Sequence, residues 1–101
     1  MFTITRGTGF TIGFPNGWSI SVQFGNGTYC ENRYRDHQPH AGFYSSPDAE
    51  VAVFKPDGSF ARLCAHDDVA GWQTPEQVAE LIAQVAAGSY VEAPREAYAT
   101  D

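Results

Sequence analysis

Basic residues are scarce: six Lys and Arg stand against twelve Asp and Glu in 101 residues, a net charge of −6. So few cations cannot neutralise a phosphate backbone, which argues against duplex nucleic acid as a partner. Cysteine is rarer still. Two thiols in a chain expected in a reducing compartment read as free cysteines rather than as a disulfide framework. No apolar run approaches the roughly 20 residues that a membrane-spanning helix needs, so no membrane partner is expected. The opening Met1-Phe2-Thr3-Ile4-Thr5-Arg6 lacks a cationic segment followed by an apolar stretch. A cytoplasmic protein without a secretory leader is therefore expected, and Asn26-Gly27-Thr28 carries no meaning as a glycan acceptor. GxSxG, Walker and Rossmann motifs are missing, as is any CxxC or HExxH spacing. No enzyme, cofactor or metal is expected on that ground.

What is present is aromatic, turn-rich and alternating. Seven Phe, five Tyr and two Trp supply a small core, and ten Gly with six Pro supply tight turns. Phe10, Ile12 and Phe14 alternate with Thr11 and Gly13, and Trp18, Ile20, Val22 and Phe24 alternate with Ser19, Ser21 and Gln23. A two-residue turn at Asn16-Gly17 would put these apolar sets on opposite faces. A three-residue loop, Pro15-Asn16-Gly17, pairs Phe14 with Trp18, Ile12 with Ile20 and Phe10 with Val22 on one face, with Gly17 left-handed. Pro56-Asp57-Gly58 repeats the device between Glu50–Lys55 and Ser59–Cys64. The same rule predicts Val53 opposite Ala61, Val51 opposite Leu63, and Phe54 opposite Phe60. That hairpin is apolar on both faces, as expected of one central in the sheet or covered by another subunit. Phe2 to Thr5 adds a short fifth strand.

Thr74-Pro75-Glu76-Gln77 has the form of a helix start, with Thr74 as cap, Pro75 first in the helix and Gln77 reaching back. Val78, Leu81, Ile82 and Val85 then fall on one stripe, and Gly88 is the expected stop. The expected fold is α+β: an antiparallel sheet of four to five strands from two Pro-Asx-Gly hairpins, with one C-terminal helix packed on it. Residues 1–88 would form a single domain and 89–101 a tail, from which Tyr90, Val91 and Tyr98 could dock on a neighbour. Residues 25–49 have neither a strand nor a helix period, and a loop so long in a small domain is expected to carry function.

The charge is uneven. Residues 1–64 balance five acids with five bases, whereas 65–101 hold Asp67, Asp68, Glu76, Glu80, Glu92, Glu96 and Asp101 against Arg95 alone. That end could mimic DNA as an inhibitor, but seven acids are a thin imitation of a duplex, and it reads as a solvated surface.

Gly17-Trp18, Ser21-Val22-Gln23-Phe24-Gly25, Gly27, Tyr29-Cys30 and Asn32-Arg33 together resemble a family of small tailed-phage accessory proteins. Ala49-Glu50-Val51-Ala52, Asp57-Gly58 and Gly71-Trp72-Gln73-Thr74-Pro75 fit the same resemblance, which covers roughly residues 10 to 87. It implies a phage gene product acting in the cytoplasm of a bacterial host. Small phage proteins of this kind resemble inhibitors of host defence, some of which sequester nucleotide signals.

Four constellations could carry chemistry. In the first, Arg33 and Arg35 offer forked donors to phosphate, Tyr29, Tyr34 and Trp72 can stack on a base, and Gln23 and Asn32 can read its edge. The plainer reading packs the tyrosines onto the sheet and pairs the arginines with Glu31 and Asp36. In the second, Cys30, His37, His40, Cys64 and His66 could gather around zinc, although their spacing matches no zinc motif. In the third, Cys30–His37 or Cys64–His66 would form a nucleophile pair, with no signature in support. In the fourth, outward Phe54 and Phe60 and the flat Thr11/Ser19/Ser21/Gln23 face suit self-association or docking. The expected function is a phage inhibitor of host defence that binds a nucleotide-type small molecule, acts in the host cytoplasm and forms a homo-oligomer. The alternative is a protein that binds a host immune enzyme through its acidic surface.

Overall fold

In the computed structural model, residues 1–5, 8–25, 28–31, 45–63 and 67–93 are described. They form an antiparallel sheet with one helix packed on it, as the alternation and the capping signals predict. The strands are β1 (Phe2–Ile4), β2 (Gly9–Gly13), β3 (Ser19–Gln23), β4 (Ala49–Phe54), β5 (Phe60–Ala61) and β6 (Val69–Gln73), followed by α1 (Pro75–Ala87). The strand order is β1-β2-β3-β4-β5, and β6 also pairs with β4.

The first hairpin has the register dictated by its side chains. Phe10 lies opposite Val22 and Ile12 opposite Ile20, and the Phe14 N–H donates to the Trp18 carbonyl at 2.9 Å. Gly17, at φ 91°, occupies the left-handed corner. A two-residue turn would have rotated Trp18 to Phe24 by one face and exposed Ile20 and Val22, which are instead 0% and 1% exposed.

The second hairpin follows the rule for two pairs and then departs from it. Val53 faces Ala61 and Phe54 faces Phe60, but Val51 pairs with Ala70 and Ala52 with Val69, both from β6. The expected Val51–Leu63 pair does not form. Two strands therefore share that edge of β4, each covering part of it. This places β4 at the centre, where Ala49, Val51, Ala52 and Val53 are all buried.

The helix begins as its first turn specifies. Thr74 Oγ1 accepts from the Gln77 N–H and Gln77 Oε1 accepts from the Thr74 N–H, a reciprocal box. Gly88, at φ 74°, ends it in the left-handed conformation. Val85 is buried against Ile20, Val22, Val51 and Val53, with Val78, Leu81 and Ile82 alongside. Full burial of a side chain the size of Val85 stabilises by about 1.5 kcal/mol. After the helix the chain returns to the second hairpin. The Tyr90 hydroxyl donates to the Arg62 carbonyl at 2.6 Å, and the Glu92 carboxylate accepts from the Arg62 N–H at 2.8 Å and from Lys55 Nζ at 2.9 Å. Those two donors, the backbone N–H first, hold the Glu92 carboxyl below its usual range. No helix among the described residues is long and apolar enough to cross a membrane.

Candidate functional site

Two residues chosen from the sequence as base-stacking groups come together. The Tyr29 and Trp72 rings lie 5.8 Å apart at an interplanar angle of 33°. Both remain accessible, Tyr29 at 41% and Trp72 at 54% exposure.

A bulge positions Trp72. Ala49 faces Gln73 and Val51 faces Ala70, so Gly71 and Trp72 together oppose Glu50 alone. Trp72 takes φ 51° there, the left-handed region that bulky residues avoid at a cost of about 1–2 kcal/mol. It is the positive-φ non-glycine residue among those described. Such strain persists only where neighbouring contacts enforce it. Here the Trp72 N–H donates to the Tyr29 carbonyl at 2.8 Å.

The segment carrying Tyr29 is held by two carboxylates at the start of β4. Glu50 Oε2 accepts from the Tyr29 N–H at 2.7 Å, and Asp48 Oδ1 accepts from the Glu31 N–H at 2.6 Å. Gly71 allows the close approach. A Cβ at that position would stand 2.6 Å from the Tyr29 Cβ and 3.0 Å from its carbonyl oxygen. Cys30 is 1% exposed, and its sulfur lies 3.2 Å from Thr28 Oγ1. The thiol is thus part of the packing beneath the loop.

Gln23 lies opposite Glu50 in the β3–β4 register, one strand away from the segment that Glu50 anchors. Its amide donates to Thr5 Oγ1 at 3.2 Å and to Ser21 Oγ at 3.1 Å. The side chain is thereby turned toward the β1 edge. Asn32, Arg33, Tyr34 and Arg35 lie outside the described residues, as do His37, His40, Cys64 and His66. The phosphate donors and most of the possible zinc ligands are therefore not placed.

Sequence reasoning passed over Glu50 and Gly71 as parts of this site. Glu50 acts on a backbone N–H, which leaves no compositional trace. Gly71 had a visible signal, since a glycine breaking a short strand pattern marks a bulge or a close backbone approach.

A cavity of about 300 Å³ opens on the helix side of the sheet, lined by Phe10, Val22, Phe24, Pro47, Val78 and Ile82, among others. Asp48 and Ala49 also border it. No family profile, curated protein or solved structure matches this chain.

Proposed function

We propose that this chain is a non-enzymatic binding protein that captures a nucleotide-type small molecule on Trp72 and Tyr29. As a phage product in a host cytoplasm, it would sequester that molecule from a defence response. The observation that supports the reading is the exposed Trp72, held at φ 51° with Tyr29 packed beside it. An indole fixed in a strained conformation and half open to solvent offers a preorganised platform for a flat ring. The Glu50 carboxylate beside the pair adds an acceptor for ring amino groups. Arg33 and Arg35, taken from the sequence alone, would supply the phosphate contacts.

The test uses Trp72 as its own reporter. In a Trp18→Phe background, titration with nucleoside mono-, di- and cyclic phosphates should quench the remaining indole emission. Trp72→Ala should then weaken binding by about 5- to 150-fold, measured by calorimetry, the range for loss of one base–aromatic stack. Alanine keeps the strained φ, so its melting temperature should not rise; Trp72→Gly, which relieves that strain, should melt higher than Trp72→Ala. Failure of all these nucleotides to perturb Trp72 at millimolar concentration would sink the reading.

The alternative, docking on a host enzyme, is favoured by Glu76 and Glu80, which lie exposed on α1. Charge reversal at both should weaken capture of such an enzyme and leave nucleotide binding unchanged.

A further inference from the structure

The outer edge of β1 has no strand beside it among the described residues. On the inner side, the Thr5 N–H donates to the Gly9 carbonyl at 3.0 Å and the Gly13 N–H to the Met1 carbonyl at 2.8 Å. Hydrogen-bonded and non-hydrogen-bonded pairs alternate along an antiparallel ladder. Thr3, opposite Thr11, therefore bonds inward with Met1 and Thr5. The backbone N–H and C=O groups of Phe2 and Ile4 point outward.

Natural sheets blunt such an edge with charge, proline or a bulge. Phe2-Thr3-Ile4 has none of these. Its apolar side chains are also uncovered. Phe2 and Ile4, 70% and 75% exposed, continue the face of Phe10 and Ile12, while α1 packs over β3 and β4. The local charge permits self-approach as well. Residues 1–30 contain Arg6 as their one charged side chain, so the acids that give the chain its −6 lie elsewhere.

We propose that this edge is a two-fold dimer interface, with β1 of a second copy paired antiparallel to it about Thr3. That register sets Phe2 opposite Ile4 of the partner subunit, and Ile4 opposite Phe2 of the partner subunit. It uses the outward groups, giving four backbone hydrogen bonds across the axis. The faces match as well: Phe2 and Ile4 of both copies share the apolar side, and Thr3 and Thr5 share the other. A one-residue slip would put each phenylalanine and isoleucine on the wrong face. Thr3 meets Thr3 of the partner subunit in a non-hydrogen-bonded pair, where side chains stand closest.

The mass of the full chain is measured by light scattering at tens of micromolar, and its dissociation constant by sedimentation. The expected mass is twice the 11.0 kDa of one chain. Ile4→Pro removes an outward N–H that the β1–β2 ladder does not use, and should yield the single-chain mass with an unchanged circular dichroism spectrum. Thr3→Lys and Thr3→Glu probe the register independently. Each alone should weaken the dimer, and a 1:1 mixture should associate about tenfold more tightly than either, because unlike charges then meet on the axis. A single-chain mass for the unmodified protein overturns the proposal and leaves the edge to a strand of another protein. A dimer indifferent to Ile4→Pro overturns it too, as does a mixture of Thr3 variants no tighter than its components.

Discussion

The two turns Pro15-Asn16-Gly17 and Pro56-Asp57-Gly58 are nearly the same object locally, yet only the first is bonded to the helix. In each, a glycine at φ 91° or 87° closes the loop. In each, the Asx oxygen accepts from the backbone N–H two residues on, Asn16 from Trp18 at 2.9 Å and Asp57 from Ser59 at 2.8 Å. They differ at the other end of the side chain. Asn16 Nδ2 donates to the Val85 carbonyl at 2.9 Å and to that of Ala86 at 3.4 Å, so the turn caps the end of α1. Asp57 has no donor there, and the same Oδ1 that takes the Ser59 N–H also accepts the Ser59 hydroxyl at 2.6 Å. The acceptor end of an Asx residue builds the turn, and the amide donor decides whether the turn also holds a helix.

Exchanging the two residues should break this symmetry most strongly. Asn16→Asp keeps the bond to Trp18 but removes both donations and sets an anion against the negative end of the helix dipole. The Val85 carbonyl keeps the Gly88 N–H at 3.2 Å, so the expected loss is about 1–2 kcal/mol in chemical denaturation, from the lost Asn16 donations plus the dipole penalty. Asp57→Asn at neutral pH should change the midpoint far less. Equal effects would show that Asn16 contributes only to its own turn.

The glycines sharpen the comparison on a smaller scale. Both sit in the left-handed region, so alanine at either should cost about 1 kcal/mol in backbone strain. Their surroundings differ, because a Cβ on Gly17 would lie 3.1 Å from Pro56 Cβ, whereas one on Gly58 would meet nothing within 4 Å. Gly17→Ala should therefore cost about 1 kcal/mol more than Gly58→Ala, the size of a mild overpacking. The same denaturation series reads the difference. A Gly58→Ala variant as unstable as Gly17→Ala would mean that the two turns do not pack on each other in solution.

These turns also mark where the sequence is legible. The register of Phe10 to Phe24, the Thr74–Gln77 box and the Gly88 stop all depend on residues close in the chain, where period and turn chemistry suffice. Strand β6 does not declare itself. Val69-Ala70-Gly71-Trp72-Gln73 is interrupted by a bulge, and its pairing with Ala49, Val51 and Ala52 is a long-range choice among edges. Once β6 takes that edge, the predicted Val51–Leu63 pair is displaced. The site divides in the same way. Tyr29 and Trp72 could be chosen by type, but their meeting depends on the bulge, on Gly71 and on the Glu50 carboxylate. Asn16 shows the limit best, because its turn is readable from Pro15 and Gly17 while its partner carbonyls lie about seventy residues away.

The smallest expected effect is an acid titration that separates the two turns by charge. The Asp57 carboxyl is lowered from its ordinary value of 3.8, first by the Ser59 hydroxyl and then by the Ser59 N–H. A carboxyl lowered in the folded state stabilises fully above its unfolded value and loses that contribution as the pH falls through the folded value. Glu92, lowered by the Arg62 N–H and by Lys55, acts in the same direction from its ordinary 4.5. Asn16 does not titrate. Melting temperatures measured from pH 7 down to pH 2 should hold until about 4.5 and then fall. Asp57→Asn should remove the lower part of that fall, and Glu92→Gln the part that begins at higher pH. If Asp57→Asn falls as steeply as the unmodified chain below pH 4, the Ser59 bonds do not distinguish the folded from the unfolded carboxylate. The contrast between the turns would then rest on the Asn16 amide alone.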